Sequence, residues 1–225
     1  MTVKPVLAFD LDGTLVETLP DLAATLNELL TRHGHTALST ETMRAIVGQG
    51  ARVMLQRGFA HNGIELDPER TNALFDDFLE HYSAHIADHS HPFPGVLDAL
   101  DRFSAAGWTL AVCTNKLEAL SKRLLDALDM SWRFAVIAGP DTFGVHKPDP
   151  QHLLRTVAAA GGAVGQAIMV GDSMADINAA KAAGIPVVAV DFGYTPVPVR
   201  ELDPDRVISH FDALWDAVES LEQPA

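Results

Sequence analysis

Cysteine is nearly missing from this chain. The single Cys113 excludes an internal disulfide and fits a reducing compartment such as the cytoplasm. It follows Ala111 and Val112 in an apolar run, where a small core residue is expected. Basic residues are also scarce. Sixteen Lys and Arg stand against 30 Asp and Glu, a formal net charge of -14, and no basic run occurs. This argues against nucleic acid or an anionic membrane as a partner. It also means that any phosphate site must be made locally positive inside an acidic protein. No apolar stretch approaches the ~20 residues needed to span a bilayer. The first apolar run is cut by Asp10 and Asp12, so no secretion signal is expected there. Internal repeats and low-complexity tracts are lacking. There remain 225 residues, 48% of them hydrophobic, which suits one large domain or one domain with a sizeable insertion.

The chain is organised around Val6-Leu7-Ala8-Phe9-Asp10-Leu11-Asp12-Gly13-Thr14-Leu15. The apolar start is too short for a helix and ends at a turn signal, so it reads as a buried strand. Such a strand delivers two carboxylates to its carboxyl end, where open α/β sheets build their sites. Carboxylates this close repel unless a cation is near. A Mg²⁺ site in which one carboxylate is also a nucleophile is the expectation.

Residues 17–91 read as helical, without a convincing strand. Thr18 is a candidate cap, Pro20 opens a helix and Asp21 complements its dipole. Ser39 caps a second segment, Gly48-Gln49-Gly50 breaks it, Ala51 to Phe59 forms a third, and Pro68 to about Ala87 a fourth. Pro92, Pro94 and Gly95 mark a boundary. Beyond it helices alternate with the strands Thr109–Cys113, Phe134–Ile137, Ala167–Val170 and Val187–Val190. Alternation implies an α/β fold, a Rossmann-like parallel sheet with right-handed crossovers. Residues 1–16 and 92–225 would form this core, and 17–91 an inserted all-helical subdomain.

Polar clusters close three further segments. Thr114-Asn115-Lys116 ends a strand before a helix, where a hydroxyl and an amide can hold phosphate oxygens, although Thr and Asn are also ordinary caps. Lys147-Pro148 lies in a loop and reads alone as a solvated lysine. Gly171-Asp172-Ser173-Met174-Ala175-Asp176 supplies a carboxylate to complete a metal site. Asp176 there can orient Asp172, Lys147 or a water, with Ser173 supporting.

The four clusters, in this order, resemble the four motifs of the haloacid dehalogenase superfamily, whose helical cap is inserted directly after the first motif. Within it the chain is most similar to the phosphoglycolate phosphatases, on Leu19-Pro20-Asp21-Leu22-Ala23, Val47-Gly48-Gln49-Gly50-Ala51-Arg52-Val53, Val112-Cys113-Thr114-Asn115-Lys116 and Phe192-Gly193-Tyr194. The resemblance implies a Mg²⁺-dependent phosphatase of small phosphorylated substrates, 2-phosphoglycolate first. Asp10 would be the nucleophile, forming an aspartyl-phosphate, and Asp12 the acid and base. Mg²⁺ would be held by Asp10, the Asp12 carbonyl and Asp172. Thr114, Asn115 and Lys147 would bind the phosphate, Lys147 also serving catalysis. Arg52, after the turn of Gly48 and Gly50, would take the substrate carboxylate. Glu17-Thr18 stands where the family usually has Asp-Ser, at the cap hinge. Asp12 argues against a dehalogenase, and the lack of lysine between Glu17 and His91 against a phosphonate hydrolase. Sugar-phosphate phosphatase, pyrophosphatase, a β-phosphoglucomutase-like mutase and a non-catalytic binding protein stay open, as do monomer and homodimer. His81, His85 and His89 share a helical face near His91, and read as solvated more readily than as a Zn²⁺ site.

Overall fold

The computed structural model describes residues 4–47 and 50–222. The first strand, β1 (Val6–Phe9), is followed by β2 (Val16–Glu17) and four helices: α1 (Leu19–Arg32), α2 (Thr40–Ile46), α3 (Ala51–Ala60) and α4 (Pro68–Ala84). Then come β3 (His91–Pro92), α5 (Val96–Ala105), β4 (Thr109–Cys113), α6 (Glu118–Ala127), β5 (Val136–Ala138) and a short α7 (Pro140–Phe143). The chain continues through α8 (Pro150–Ala159), β6 (Ala167–Gly171), α9 (Met174–Ala183), β7 (Val187–Val190), β8 (Arg206–Ile208) and α10 (Leu214–Glu222).

Six strands form one parallel sheet in the order β5-β4-β1-β6-β7-β8. This is the Rossmann-like α/β architecture expected. All four residues of β1 are buried, as a strand covered on both faces requires. Period 2 divides the sheet's side chains into two layers. Leu7, Phe9, Leu110, Val112 and Val170 join the core that also holds α1, α3 and α4, while Val6, Ala8, Ala111, Cys113 and Met169 pack with Leu153, Val157, Ile177 and Ala180 of α8 and α9. Among the described residues no helix is long and apolar enough to cross a membrane.

Register positions the chemistry. Phe9 lies opposite Val112 on one side and Val170 on the other. The residues just beyond, Asp10, Thr114 and Asp172, therefore emerge together at the carboxyl edge of the three central strands.

Most boundaries fall where periodicity sets them, and the exceptions have causes. Residues 131–133 form a short turn, so β5 starts at Val136 and not at Phe134. The fourth helix stops at Ala84 and not near Ala87. Asp21 accepts hydrogen bonds from the His89 and Ser90 amides (3.0 and 2.8 Å) and the Ser90 hydroxyl (2.6 Å), holding the chain there in a non-helical path. A two-residue antiparallel ribbon, unsuspected from sequence, pairs Val16 with Pro92 and Glu17 with His91.

Thr18 precedes α1 but does not cap it through its side chain. Its φ of -104° and ψ of -7° are helical rather than extended, and its hydroxyl is buried without a partner. The cap comes from 176 residues away. The Tyr194 hydroxyl accepts from the Thr18 and Leu19 amides (2.8 and 3.0 Å) and donates to Glu17 (2.6 Å).

Candidate active site

Asp10 leaves β1 against the Lys147 ammonium, 2.7 Å away, and Lys147 also holds Asp176 at 2.6 Å. Lys147 is buried, so it is not the solvated loop lysine its context first evokes. Its backbone is clasped on both sides by the Asn115 side chain, which accepts from the Lys147 amide (2.9 Å) and donates to its carbonyl (3.0 Å). The oxygen and one N–H of the Asn115 amide are thus occupied with aiming Lys147. Thr114 is buried at the same edge, its hydroxyl accepting from the Lys116 amide (3.2 Å).

Asp172 faces Asp10 from β6. The Thr14 hydroxyl donates to it at 3.2 Å and the Tyr194 amide at 2.6 Å. Two glycines make this approach possible. Gly13 has a φ of +84°, and a Cβ there would lie 2.6 Å from an Asp172 carboxylate oxygen. At Gly193 a Cβ would lie 2.2 Å from the Asp172 side chain, an overlap nothing can relieve without moving the carboxylate. Asp176 sits on the first turn of α9, where the Ser173 amide and hydroxyl donate to it (3.0 and 2.6 Å).

One oxygen from each of Asp10, Asp172 and Asp176 falls within 4.8 Å of the others. Among the described residues Lys147 is the only ammonium acting on all three, so attraction is divided while repulsion adds. Burial pushes Asp10 up to about 6 against the pull of Lys147, and Asp176 adds to the rise. Burial, then Asp10 and Asp176, hold Asp172 well above the usual carboxylate range. A buried, oxygen-only donor set carrying excess negative charge fits a hard divalent cation. The three histidines do not form such a set. His81 meets Thr25 (3.3 Å), His85 meets Asp88 (2.7 Å), and His89 lies beyond the helix.

The Asp12 carboxylate is not one of the three in this cluster. Lys116 donates to both of its oxygens (2.9 and 3.2 Å) and to the Tyr82 hydroxyl of α4 (2.7 Å). Burial alone would lower the Lys116 ammonium, but Asp12 and Tyr82 reverse this and raise it above its ordinary value. Burial also pushes the Tyr82 phenol up to about 12. Asp10, Asp12, Lys116 and Tyr82 line a cavity of about 380 Å³ that Arg52 and Phe75 also line. The Arg52 guanidinium stacks 3.9 Å from the centre of the Phe75 ring and bonds Asn72. Gly50, with a φ of +88°, starts α3 at the cavity edge; Gly48 lies outside the described residues.

Sequence reasoning gave no role to Lys116, Tyr82 or Tyr194. Lys116 carried a signal, as a rare cation three residues past a strand end. Tyr194 lay in a stretch that carried the resemblance but its role was not legible, and Tyr82 carried no signal, since each acts on residues distant in the chain.

The model of the haloacid dehalogenase-like hydrolases matches residues 7–190. A phosphoglycolate phosphatase of Mesorhizobium japonicum is 52% identical over 94% of this chain and 93% of its own, and one of Caulobacter vibrioides 48% identical over 91% and 86%. A crystal structure of a predicted phosphoglycolate phosphatase from Haemophilus somnus superposes with a TM-score of 0.89 at 30% identity, covering 97% of this chain and 99% of that one.

Proposed function

The chain belongs to the haloacid dehalogenase-like hydrolases and is a phosphoric monoester hydrolase, and from that premise we propose that it cleaves 2-phosphoglycolate to glycolate and phosphate. The observation that carries this reading is the arrangement of charge. One buried ammonium and an acidic cluster meet at the end of β1, and two further cations, Lys116 and Arg52, line the same small cavity. A substrate with a phosphate at one end and a carboxylate at the other matches both.

In this reading the Asp10 carboxylate attacks phosphorus in line, forming an aspartyl-phosphate as the ester P–O bond breaks. Asp12 gives a proton to the departing glycolate oxygen and then takes one from the water that releases phosphate from Asp10. Lys147 and the Thr114 hydroxyl steady the charge on the phosphoryl oxygens, and Asn115 keeps Lys147 in place. Mg²⁺ would be held by Asp10, Asp172 and the main-chain carbonyl of Asp12, and would supply positive charge opposite the phosphate. Asp176 and Ser173 fix Lys147 and the start of α9. Residues 17–91 act as a cap whose closure excludes water and brings Arg52 to the substrate. Gly50, with its positive φ, starts α3 at the cavity wall. A cytoplasmic location is consistent with the single buried thiol.

A cavity of about 380 Å³ with apolar walls at Phe78 and Leu79 also has room for larger esters, so a sugar-phosphate phosphatase is the second reading. A steady-state screen separates them. Phosphoglycolate is expected to give the highest kcat/KM, ahead of sugar phosphates, nucleotides and pyrophosphate. Turnover should need Mg²⁺ and vanish in Asp10→Asn. A sugar phosphate as best substrate overturns the assignment.

A further inference from the structure

His152 lies in the first turn of α8, fully buried and outside the cavity. Its ring bonds the Thr114 carbonyl, 3.0 Å from Nε2. A carbonyl only accepts, so Nε2 carries the proton. Burial lowers the imidazole to about 4, so near neutral pH the ring is uncharged and Nδ1 is an acceptor. Nδ1 is buried and has no partner among the described residues. A leucine would fill this core position without stranding a polar atom, so packing alone does not account for a histidine here.

The carbonyl that His152 holds shares a peptide plane with the Asn115 N–H. That peptide is trans, so the two groups point in opposite directions. Fixing the carbonyl toward buried α8 therefore turns the N–H away from α8, on the side of the cavity that Thr114 and Asn115 line. The Asn115 main-chain N–H donates to no acceptor among the described residues. A second tie joins the same two segments. The Asn115 side chain grips the Lys147 main chain at 2.9 and 3.0 Å, five residues before His152. We propose that His152 is a positioning residue, which through the Thr114 carbonyl aims the Asn115 N–H at a phosphoryl oxygen of the substrate. The inference rests on the phosphate site of the proposed function, and not on which ester is cleaved there. The bond that His152 gives to the carbonyl also polarises the peptide, so its N–H becomes a better donor to an anion. A main-chain donor placed in this way adds positive potential beside Lys147 without adding a charge.

The test uses the full-length enzyme with Mg²⁺, inorganic phosphate as competitive inhibitor, and two substrates, 2-phosphoglycolate and 2-hydroxyethyl phosphate. His152→Leu removes the donor and keeps the bulk. It should raise the Ki of phosphate about tenfold and lower kcat/KM on both esters alike, because phosphate is what they share. His152→Gln, whose amide nitrogen can take the place of Nε2, should return both values to within about threefold of the wild type. Where His152→Leu does not fold, the wild type decides through the Asn115 amide resonance, which should move when phosphate saturates the enzyme. A resonance that stays in place overturns the inference. A His152→Leu enzyme that loses active fraction yet keeps the wild-type Ki also overturns it, since a packing role alone predicts that result. His152→Gln as impaired as His152→Leu removes the donor role. These three results leave the phosphate site intact; a wild type that phosphate does not inhibit overturns the site and the inference together.

Discussion

Two buried lysines share this site and do different work. Lys147 is held wholly by the sheet and its loops, through Asp10, Asp176 and the clasp of Asn115. Lys116 spans two parts of the molecule, with Asp12 on the sheet side and Tyr82 on α4. A cation whose partners all belong to one rigid layer has a fixed field, which suits an unchanging phosphate site. A cation whose partners belong to two layers has surroundings that change whenever those layers shift. The difference teaches that burial alone does not define a lysine's role; the origin of its partners does.

The largest expected effect breaks the fixed side of this comparison. Lys147→Met leaves three crowded carboxylates without their common ammonium, and kcat should fall by at least about 10³-fold. Stability should fall by about 3 kcal/mol in urea unfolding, since removing one partner strands buried charge. Asn115→Ala is milder. It deletes two hydrogen bonds that aim Lys147, and should cost about 2 kcal/mol and roughly tenfold in kcat with KM little changed. A kcat as high as the wild type's would show that the loop aims Lys147 unaided.

Tyr194→Phe probes a third connection, from Asp172 to the start of α1. The hydroxyl that receives two helix amides is lost, while the Tyr194 main-chain bond to Asp172 remains. About 1–2 kcal/mol of stability should go, with chemistry on a bound substrate less affected than the rate of opening. Single-turnover and steady-state rates, measured together, check this.

The smallest effect concerns His152, buried against Thr114, the first residue of the loop that carries Lys116. Its ring bonds the Thr114 carbonyl at 3.0 Å, and burial lowers it to about 4 from the ordinary value of 6.5. Between about pH 4 and about pH 6.5 the unfolded chain therefore binds a proton that the folded chain refuses. Stability from this group is full above the higher value and is lost as pH falls toward the lower one. The urea midpoint of His152→Gln should decline less steeply over that range than that of the wild type. Equal slopes would remove His152 from the pH response.

The sheet was legible because its strands are short apolar runs ended by turn residues. Their register, in turn, carries Asp10, Thr114 and Asp172 to one edge. The partners of those residues were less so. Lys147 looked solvated because a loop lysine's context does not reveal Asp10 and Asp176, which lie far from it in sequence. Asp21 read as a dipole residue, yet it ties the far end of the helical segment at Ser90. Thr18 read as a cap, yet its backbone is helical and Tyr194 supplies the acceptor. In each case the deciding contacts join residues 29 to 176 positions apart, beyond the reach of any local pattern.

The two-residue ribbon between Val16 and Pro92 has a consequence for how the chain tolerates change. Its strands run side by side, so the sheet meets residues 17–91 as it would meet the two stems of a hairpin. Whatever length of chain is strung between those stems, the closing distance that the sheet sees is the same, and closure entropy grows only slowly with added length. Insertions or wholesale exchange of α1 to α4 therefore leave the strand register, and with it the positions of Asp10 and Asp172, largely untouched. Under the proposed function, the residues that would carry the reaction lie at the edge of the sheet, and Arg52 lies between the stems.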